Sequence, residues 1–227
     1  LSEPAGKNTA PCIGLGAVHM AKRYGDAVMM VLPSDHLIKY TSLFLNTLSE
    51  ACEAAEQGEN LVTLGIAPDS PETGYGYIKF QPEETLGRAF AVERFVEKPD
   101  LETAKAYLAS EQYLWNSGMF VWKVSTILEQ LREHLPETYE GLRRIGAAIG
   151  TDQEEQALER EFRQFKSESI DYGVMEKAKD IYILSGAFGW DDVGSWLALG
   201  RIKRSDEFGN VVSGNVVTVD TKGTIVQ

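Results

Sequence analysis

Ala27-Val28-Met29-Met30-Val31-Leu32-Pro33-Ser34-Asp35-His36 is the stretch that decides the fold. Its first six residues form a short continuous apolar run, the pattern of a strand buried on both faces of a parallel sheet. Asp35 stands just after that run. Ligands of open α/β sheets collect outside the carboxyl ends of strands, so these ten residues point to an architecture and to a first candidate site residue.

Outward from this strand, helix and strand signals alternate. Phe44, Leu48, Cys52 and Ala55 are spaced for one helix face, ended by Gly58. Leu61 to Ile66 reads as a second buried strand. Asp100 is a good N-cap for a helix marked by Leu101, Ala104, Tyr107 and Leu108. Gly118 to Trp122 reads as a strand and Ser125 to His134 as a helix, and Leu158, Phe162 and Phe165 stripe a charged helix. The alternation predicts an α/β domain with a mainly parallel sheet over residues 1–205. Gly209 to Asp220 instead packs short β runs between Gly/Asn turns, so residues 206–227 are expected to begin an all-β appendage, the start of a β-solenoid.

The 227 residues carry 22 basic and 34 acidic side chains, a net charge of -12. Such a chain repels phosphodiester backbones, which argues against broad nucleic-acid binding unless charge is strongly segregated, but leaves small anions open where a cleft or a divalent cation reverses the local field. No apolar run approaches the ~20 residues of a membrane span, and the N-terminus lacks a signal-peptide pattern. Cys12 and Cys52 form no CxxC and are expected to be small buried apolar residues in a reducing cytoplasm. His19, His36 and His134 share no metal-ligand spacing, so any metal would be a hard cation on oxygen ligands.

Six segments carry candidate chemistry. Asp35 can hold Mg²⁺ beside a phosphate or simply cap the next helix. In Gly189-Trp190-Asp191-Asp192-Val193-Gly194-Ser195-Trp196, Asp192 would complete a two-carboxylate clamp with Asp35, helix capping being the alternative. In Phe95-Val96-Glu97-Lys98-Pro99, Pro99 restricts Lys98 to extended geometry, so Lys98 is a candidate phosphate contact and Glu97 an acceptor for sugar hydroxyls; an exposed charge pair is the plain alternative. Gly74-Tyr75-Gly76 combines close backbone approach with a ring suited to sugar faces, though a GxG is usually just a turn. Asn116, in Trp115-Asn116-Ser117-Gly118, sets an amide beside an aromatic, equally a carbohydrate contact or a turn. Glu3-Pro4-Ala5-Gly6-Lys7-Asn8-Thr9-Ala10-Pro11 opens a helix; Glu3 can accept from guanine's N1–H and exocyclic amine, while Asn8 or Thr9 can serve as caps.

Taken in order, EPAGKNTAP, VLPSDH, GYGYI, FVEKPD, YLWNSGMF, ESIDYGVMEKA and GWDDVGSW resemble the mannose-1-phosphate guanylyltransferases, or GDP-mannose pyrophosphorylases. The resemblance spans roughly Leu1 to Trp196 and continues weakly through GNVVSGNVV, where that family begins a short β-helix. The EKP and Asp35 motifs are common to many sugar nucleotidyltransferases; the EPxxxNTAP, WNSGMF and SIDYxVMEK segments are narrower.

The resemblance implies a Rossmann-like, GT-A-like α/β fold and an activity: GTP and α-D-mannose 1-phosphate giving GDP-mannose and diphosphate. It implies Mg²⁺ on Asp35 and Asp192, and Lys98 on phosphate at the reacting centre. Gly74, Tyr75, Glu97 and Asn116 would meet the mannose ring, and Glu3, Pro4, Asn8 and Thr9 the guanine side. Asp171 falls in a matching segment without an assigned role. The family's N-terminal strand and Gly-rich loop precede the equivalent of Leu1, so the 227-residue chain alone is expected to be inactive or very weak. The rival readings are another sugar-1-phosphate nucleotidyltransferase, an inactive nucleotide-sugar-binding regulatory relative, and a metal-dependent glycosyltransferase. The β appendage is a candidate interface, and a homodimer a candidate assembly.

Overall fold

The computed structural model describes residues 1–226. Helix α1 (Thr9–Tyr24) precedes β1 (Val28–Val31), β2 (Leu37–Ile38), α2 (Thr41–Glu56) and β3 (Leu61–Ile66). The hairpin β4 (Tyr77–Leu86) and β5 (Ala89–Val96) leads to α3 (Leu101–Ser110) and the long β6 (Tyr113–Lys123). Next come α4 (Val124–His134), α5 (Pro136–Ala148), α6 (Glu154–Gln164) and a π-helical turn (Asp171–Met175). The chain continues through β7 (Ile181–Ser185), β8 (Trp190–Asp191), α7 (Leu199–Ile202), β9 (Val211–Val212) and β10 (Ile225–Val226).

The apolar spacing places the helices and inner strands as expected. Helix α2 buries Leu48, Ala51, Ala54 and Ala55, and β3 is buried along its whole length. Asp100 caps α3, its carboxylate accepting the Thr103 N–H at 2.8 Å. Along β6 the two faces alternate. Phe120 and Trp122 enter a core shared with α1, α4, α5 and α6, through Leu15, Leu131, Leu142 and Phe162. Met119 and Val121 enter the opposite core with Leu48 and Ala51 of α2, Leu64 and Phe188.

The sheet is mixed, where a mainly parallel one was expected. Its order is β1-β6-β3-β7-β5-β4, with the start of β6 also pairing β4. Strand β6 runs antiparallel to β1, β3 and β4, and β5 antiparallel to β4 and β7; β3 and β7 are the parallel pair. A continuous apolar run reports burial on two faces and carries no information on the direction of the neighbouring strand. Nor is β1 buried on both faces: it stands at the end of the strand order, with Met30 half exposed.

Past α7 the expected β runs form only in part. Val211 and Val212 pair in parallel with Ile225 and Val226. Val217 and Val219 are exposed and outside any described strand, because β propensity yields a strand only where the backbone finds a partner. Buried Asn210 ties this winding together: its amide donates to Asp206 and to the Thr221 carbonyl and accepts from Thr224 N–H. One such winding does not by itself make a β-helix. Among the described residues no helix is long and apolar enough to cross a membrane.

Candidate active site

The site lies where β6 passes the end of β1 and begins to pair with β4. Val31 is the last β1 residue opposite β6, at Phe120, and Tyr77 lies opposite Trp115. Between these contacts β6 bulges: Thr63 and Gly65 of β3 face Phe120 and Asn116, so β6 spends extra residues there, with Gly118 at φ +70°. A cavity of about 500 Å³ opens at this point. Thr9, Gly74, Tyr75, Glu97, Lys98, Asn116 and Asp192 of the expected site line it, and so does Asp171.

Two separate loops form one rim. Leu37 pairs with Asp191 and Ile38 with Trp190 in a short antiparallel ladder, which joins the Asp35 segment to the Asp191-Asp192 segment. The Trp190 indole N–H donates to His36 Nδ1 at 3.0 Å, so this nitrogen is held as an acceptor. Burial keeps the His36 pKa below its ordinary value despite Asp35, Asp192 and Asp191 nearby.

The two adjacent acids have different surroundings. Arg201 grips Asp191 with two bonds, Nε to Oδ2 at 2.8 Å and Nη2 to Oδ1 at 3.0 Å, and Val193 N–H also donates to it. Burial would raise the Asp191 pKa, but these donors hold it below the usual carboxylate range. Asp192 faces the cavity near Tyr75, with Arg201 Nη2 at 3.6 Å. Val193 next to it has φ +49°, a genuine outlier for a β-branched residue. Asp35 is exposed and lies outside the cavity wall, whereas its neighbours Ser34 and His36 line it.

On the opposite wall Lys98 corrects its expectation. It adopts φ +47°, left-handed and not extended, despite preceding Pro99. The chain must turn between the end of β5 and the Asp100 cap within three residues, and this geometry costs about 1–3 kcal/mol. Lys98 Nζ lies 3.2 Å from Glu97 Oε1, while Glu97 Oε2 is buried with no hydrogen-bond partner among the described residues. Gly76 lets β4 approach Glu97 closely, and a Cβ on it would displace the Glu97 carboxylate end. A Cβ at Gly74 would meet no protein atom.

Asn116 donates from Nδ2 to Asp171 Oδ1 at 2.8 Å and accepts the Gly118 N–H on Oδ1 at 3.0 Å. Burial, with Asp171 close by, pushes the Glu97 carboxyl above the ordinary range. Burial also raises that of Asp171, more than the Asn116 bond lowers it.

The expected base-binding segment reaches the cavity only in part. Thr9 lines it, although its hydroxyl is already engaged as acceptor of the Ile170 N–H at 2.8 Å. Asn8 is exposed and caps α1, its Oδ1 accepting the Thr9 N–H. Glu3 and Pro4 lie outside the wall; Glu3 lies near Cys12, which does line it. The cysteines are not the buried residues expected, for Cys12 is exposed and Cys52 half-buried. Cys12 lies on the face of α1 that forms the cavity wall, where partial desolvation and Glu3 push its thiol up to about 11.

This set of side chains sits where open α/β sheets bind ligands, and the family model described as Nucleotidyl transferase matches residues 1–207. The chain belongs to the nucleotidyl transferase family. Among its relatives, the xanthan biosynthesis protein XanB of Xanthomonas campestris pv. campestris is 45% identical over 99% of this chain and 47% of its own length. The mannose-1-phosphate guanylyltransferase of Escherichia coli is 42% identical over 99% of this chain and 48% of its own. The chain thus spans about half the length of the curated relatives it matches. A solved structure described as a mannose-1-phosphate geranyltransferase from Thermus thermophilus superposes with a TM-score of 0.84 at 39% identity, over 94% of this chain and 60% of that one.

Three features of this nucleotidyl transferase were not assigned from sequence. Asp171 meets Asn116 across 55 residues of chain, with no local signal for the pairing. Gly76 was quoted only as part of a turn, and its close approach to Glu97 depends on β4 and β5 lying side by side. Arg201 distinguishes Asp191 from Asp192 from a helix beyond the motif.

Proposed function

We propose that the protein transfers GMP from GTP to α-D-mannose 1-phosphate, giving GDP-mannose and diphosphate. The observation that carries this reading is the convergence of Asp192, Lys98, Glu97, Asn116 and Gly74 on one cavity at a sheet crevice. The name of the Escherichia coli relative directs the choice of mannose and guanylyl within the family. In this reading Gly74, Tyr75, Glu97 and Asn116 hold the sugar and Lys98 a phosphate, with Glu3, Pro4, Asn8 and Thr9 on the base side. The winding after α7 is read as the start of a β-helix, in a cytoplasmic protein.

The lining of the cavity fits Mg²⁺. Glu97, Asp171 and Asp192 supply carboxylates and Lys98 is the one lysine or arginine among the described lining residues, so two bound phosphate groups would lack counter-charge. Among the described residues no three His, Cys, Asp or Glu side chains cluster as ligands. Mg²⁺ takes one or two carboxylates and completes its shell with phosphate oxygens and water. Asp192 would hold it from the cavity wall, with Asp35, which stands outside that wall beside Ser34 and His36, as the second proposed ligand, and when bound it supplies positive charge to both substrates' phosphates.

A phosphate oxygen of the sugar phosphate attacks the α-phosphorus of GTP in line, and diphosphate leaves with the electrons of the broken P–O bond. The attacking oxygen is already anionic at neutral pH, so no general base is required. The chain's own residues position the two polyanions and screen their repulsion. Diphosphate release by the full-length protein with Mg²⁺, each of four NTPs, and mannose or glucose 1-phosphate tests the proposal. GTP with mannose 1-phosphate should dominate. Preference for another pair would identify a different sugar-1-phosphate nucleotidyltransferase, and GDP-mannose binding without turnover a regulatory relative.

A further inference from the structure

We propose that Asp171 is a positioning residue that fixes the amide of Asn116 and through it sets which sugar epimer the site accepts; this rests on the reading that a sugar 1-phosphate occupies the cavity. A carboxylate only accepts and a backbone N–H only donates. The Asp171 Oδ1 and Gly118 N–H bonds, at 2.8 and 3.0 Å, therefore define both ends of the Asn116 amide. One N–H and one lone pair remain for the cavity that Asn116 lines. A fixed donor beside a fixed acceptor matches two neighbouring ring hydroxyls in one relative orientation. Inverting one hydroxyl leaves a buried polar group unpaired, which is how hydrogen-bonding sites discriminate strongly. Glu97 lines the same cavity, with its Oε2 buried and unpartnered among the described residues.

Asp171 is held independently of Asn116. Ile170 N–H donates to Thr9 Oγ1 at 2.8 Å, Ala10 N–H to the Glu168 carbonyl at 3.0 Å, and Glu168 N–H to the Lys7 carbonyl at 3.2 Å. These bonds pin the segment before Asp171 to the start of α1, on the side of the cavity facing the β6 bulge. The carboxylate is thus carried on a fixed support, and burial already disfavours its charge.

The test uses the full-length protein with GTP and Mg²⁺, comparing kcat/KM for mannose 1-phosphate and glucose 1-phosphate. Asp171→Ala, which removes the acceptor, should lower the epimer ratio roughly tenfold, the worth of about one hydrogen bond, and leave the KM for GTP within about twofold. Asp171→Asn keeps an acceptor oxygen for the Asn116 amide and should retain most of the ratio. Asn116→Ala should cause a loss similar to that of Asp171→Ala, and the double variant Asp171→Ala with Asn116→Ala no further one, since residues acting as a unit are not additive. An unchanged epimer ratio in Asp171→Ala, or full additivity in the double variant, would overturn the inference while the functional reading stands. Failure of the wild type to turn over any sugar 1-phosphate would overturn both. Circular dichroism melts of each variant separate these outcomes from unfolding, and Asp171→Leu provides a second substitution if Asp171→Ala does not fold.

Discussion

Leu37 lies opposite Asp191, and this two-residue ladder brings together two acidic segments 154 residues apart in the chain. Extending the register by one residue sets His36 opposite Asp192, in keeping with the charge of Asp192 felt at His36. The rim of the cavity therefore depends on main-chain pairing, with the Trp190 to His36 bond as a side-chain lock. Asp191 adds to that framework through Arg201 and Val193, whereas Asp192 faces the cavity.

Asp192→Asn should lose activity by on the order of 100-fold or more, the scale of removing one preorganised electrostatic contact at a reacting phosphate. Its thermal midpoint should stay close to wild type, because Arg201 is anchored mainly on Asp191. Steady-state rates and a melting curve on the same preparation check this. Retained activity would remove Asp192 from the metal clamp.

Glu97→Gln should stabilise the protein at neutral pH while impairing turnover. Burial raises the folded-state pKa of Glu97 above its unfolded value. The stability associated with this group is then fully present below the unfolded pKa and is lost as pH rises through the folded pKa. The amide does not titrate, so the variant escapes that loss. Its melting temperature should exceed wild type at pH 7.5, and by less at pH 4. An equal difference at both values would remove the titration argument.

Asn210→Ala should loosen the C-terminal winding and leave the sheet intact. The side chain is buried and bridges Asp206, Thr221 and Thr224. Its removal leaves a main-chain donor and an acceptor without partners, a local cost of about 1–3 kcal/mol each. Hydrogen exchange should accelerate in residues 206–226 with protection in β3 and β6 unchanged. Protection lost equally in both regions would mean the winding and the sheet unfold as one unit.

Much of the fold was legible because its signals are local. Continuous apolar runs, one-faced helix spacing and the Asp100 cap arise from contacts within a few residues, and each became the element it forecast. The candidate site was legible as residue types: Lys98, Glu97, Gly74, Asn116 and Asp192 do reach one cavity. Asp35, Glu3, Pro4 and Asn8 carry equally strong motifs and do not line it, since a motif states chemistry and leaves direction open.

What the sequence by itself determined was many of the elements, though not the β4–β5 hairpin, α5 or β7, and the chemical inventory, because burial and hydrogen-bonding capacity are properties of the residues and their spacing. Strand direction, the left-handed Lys98, the Arg201 grip that separates Asp191 from Asp192, and the Asn116–Asp171 bond were decided only in the tertiary structure. Each depends on which distant segment becomes a neighbour. That choice is made by packing two cores against one sheet, and no local period in the chain encodes it.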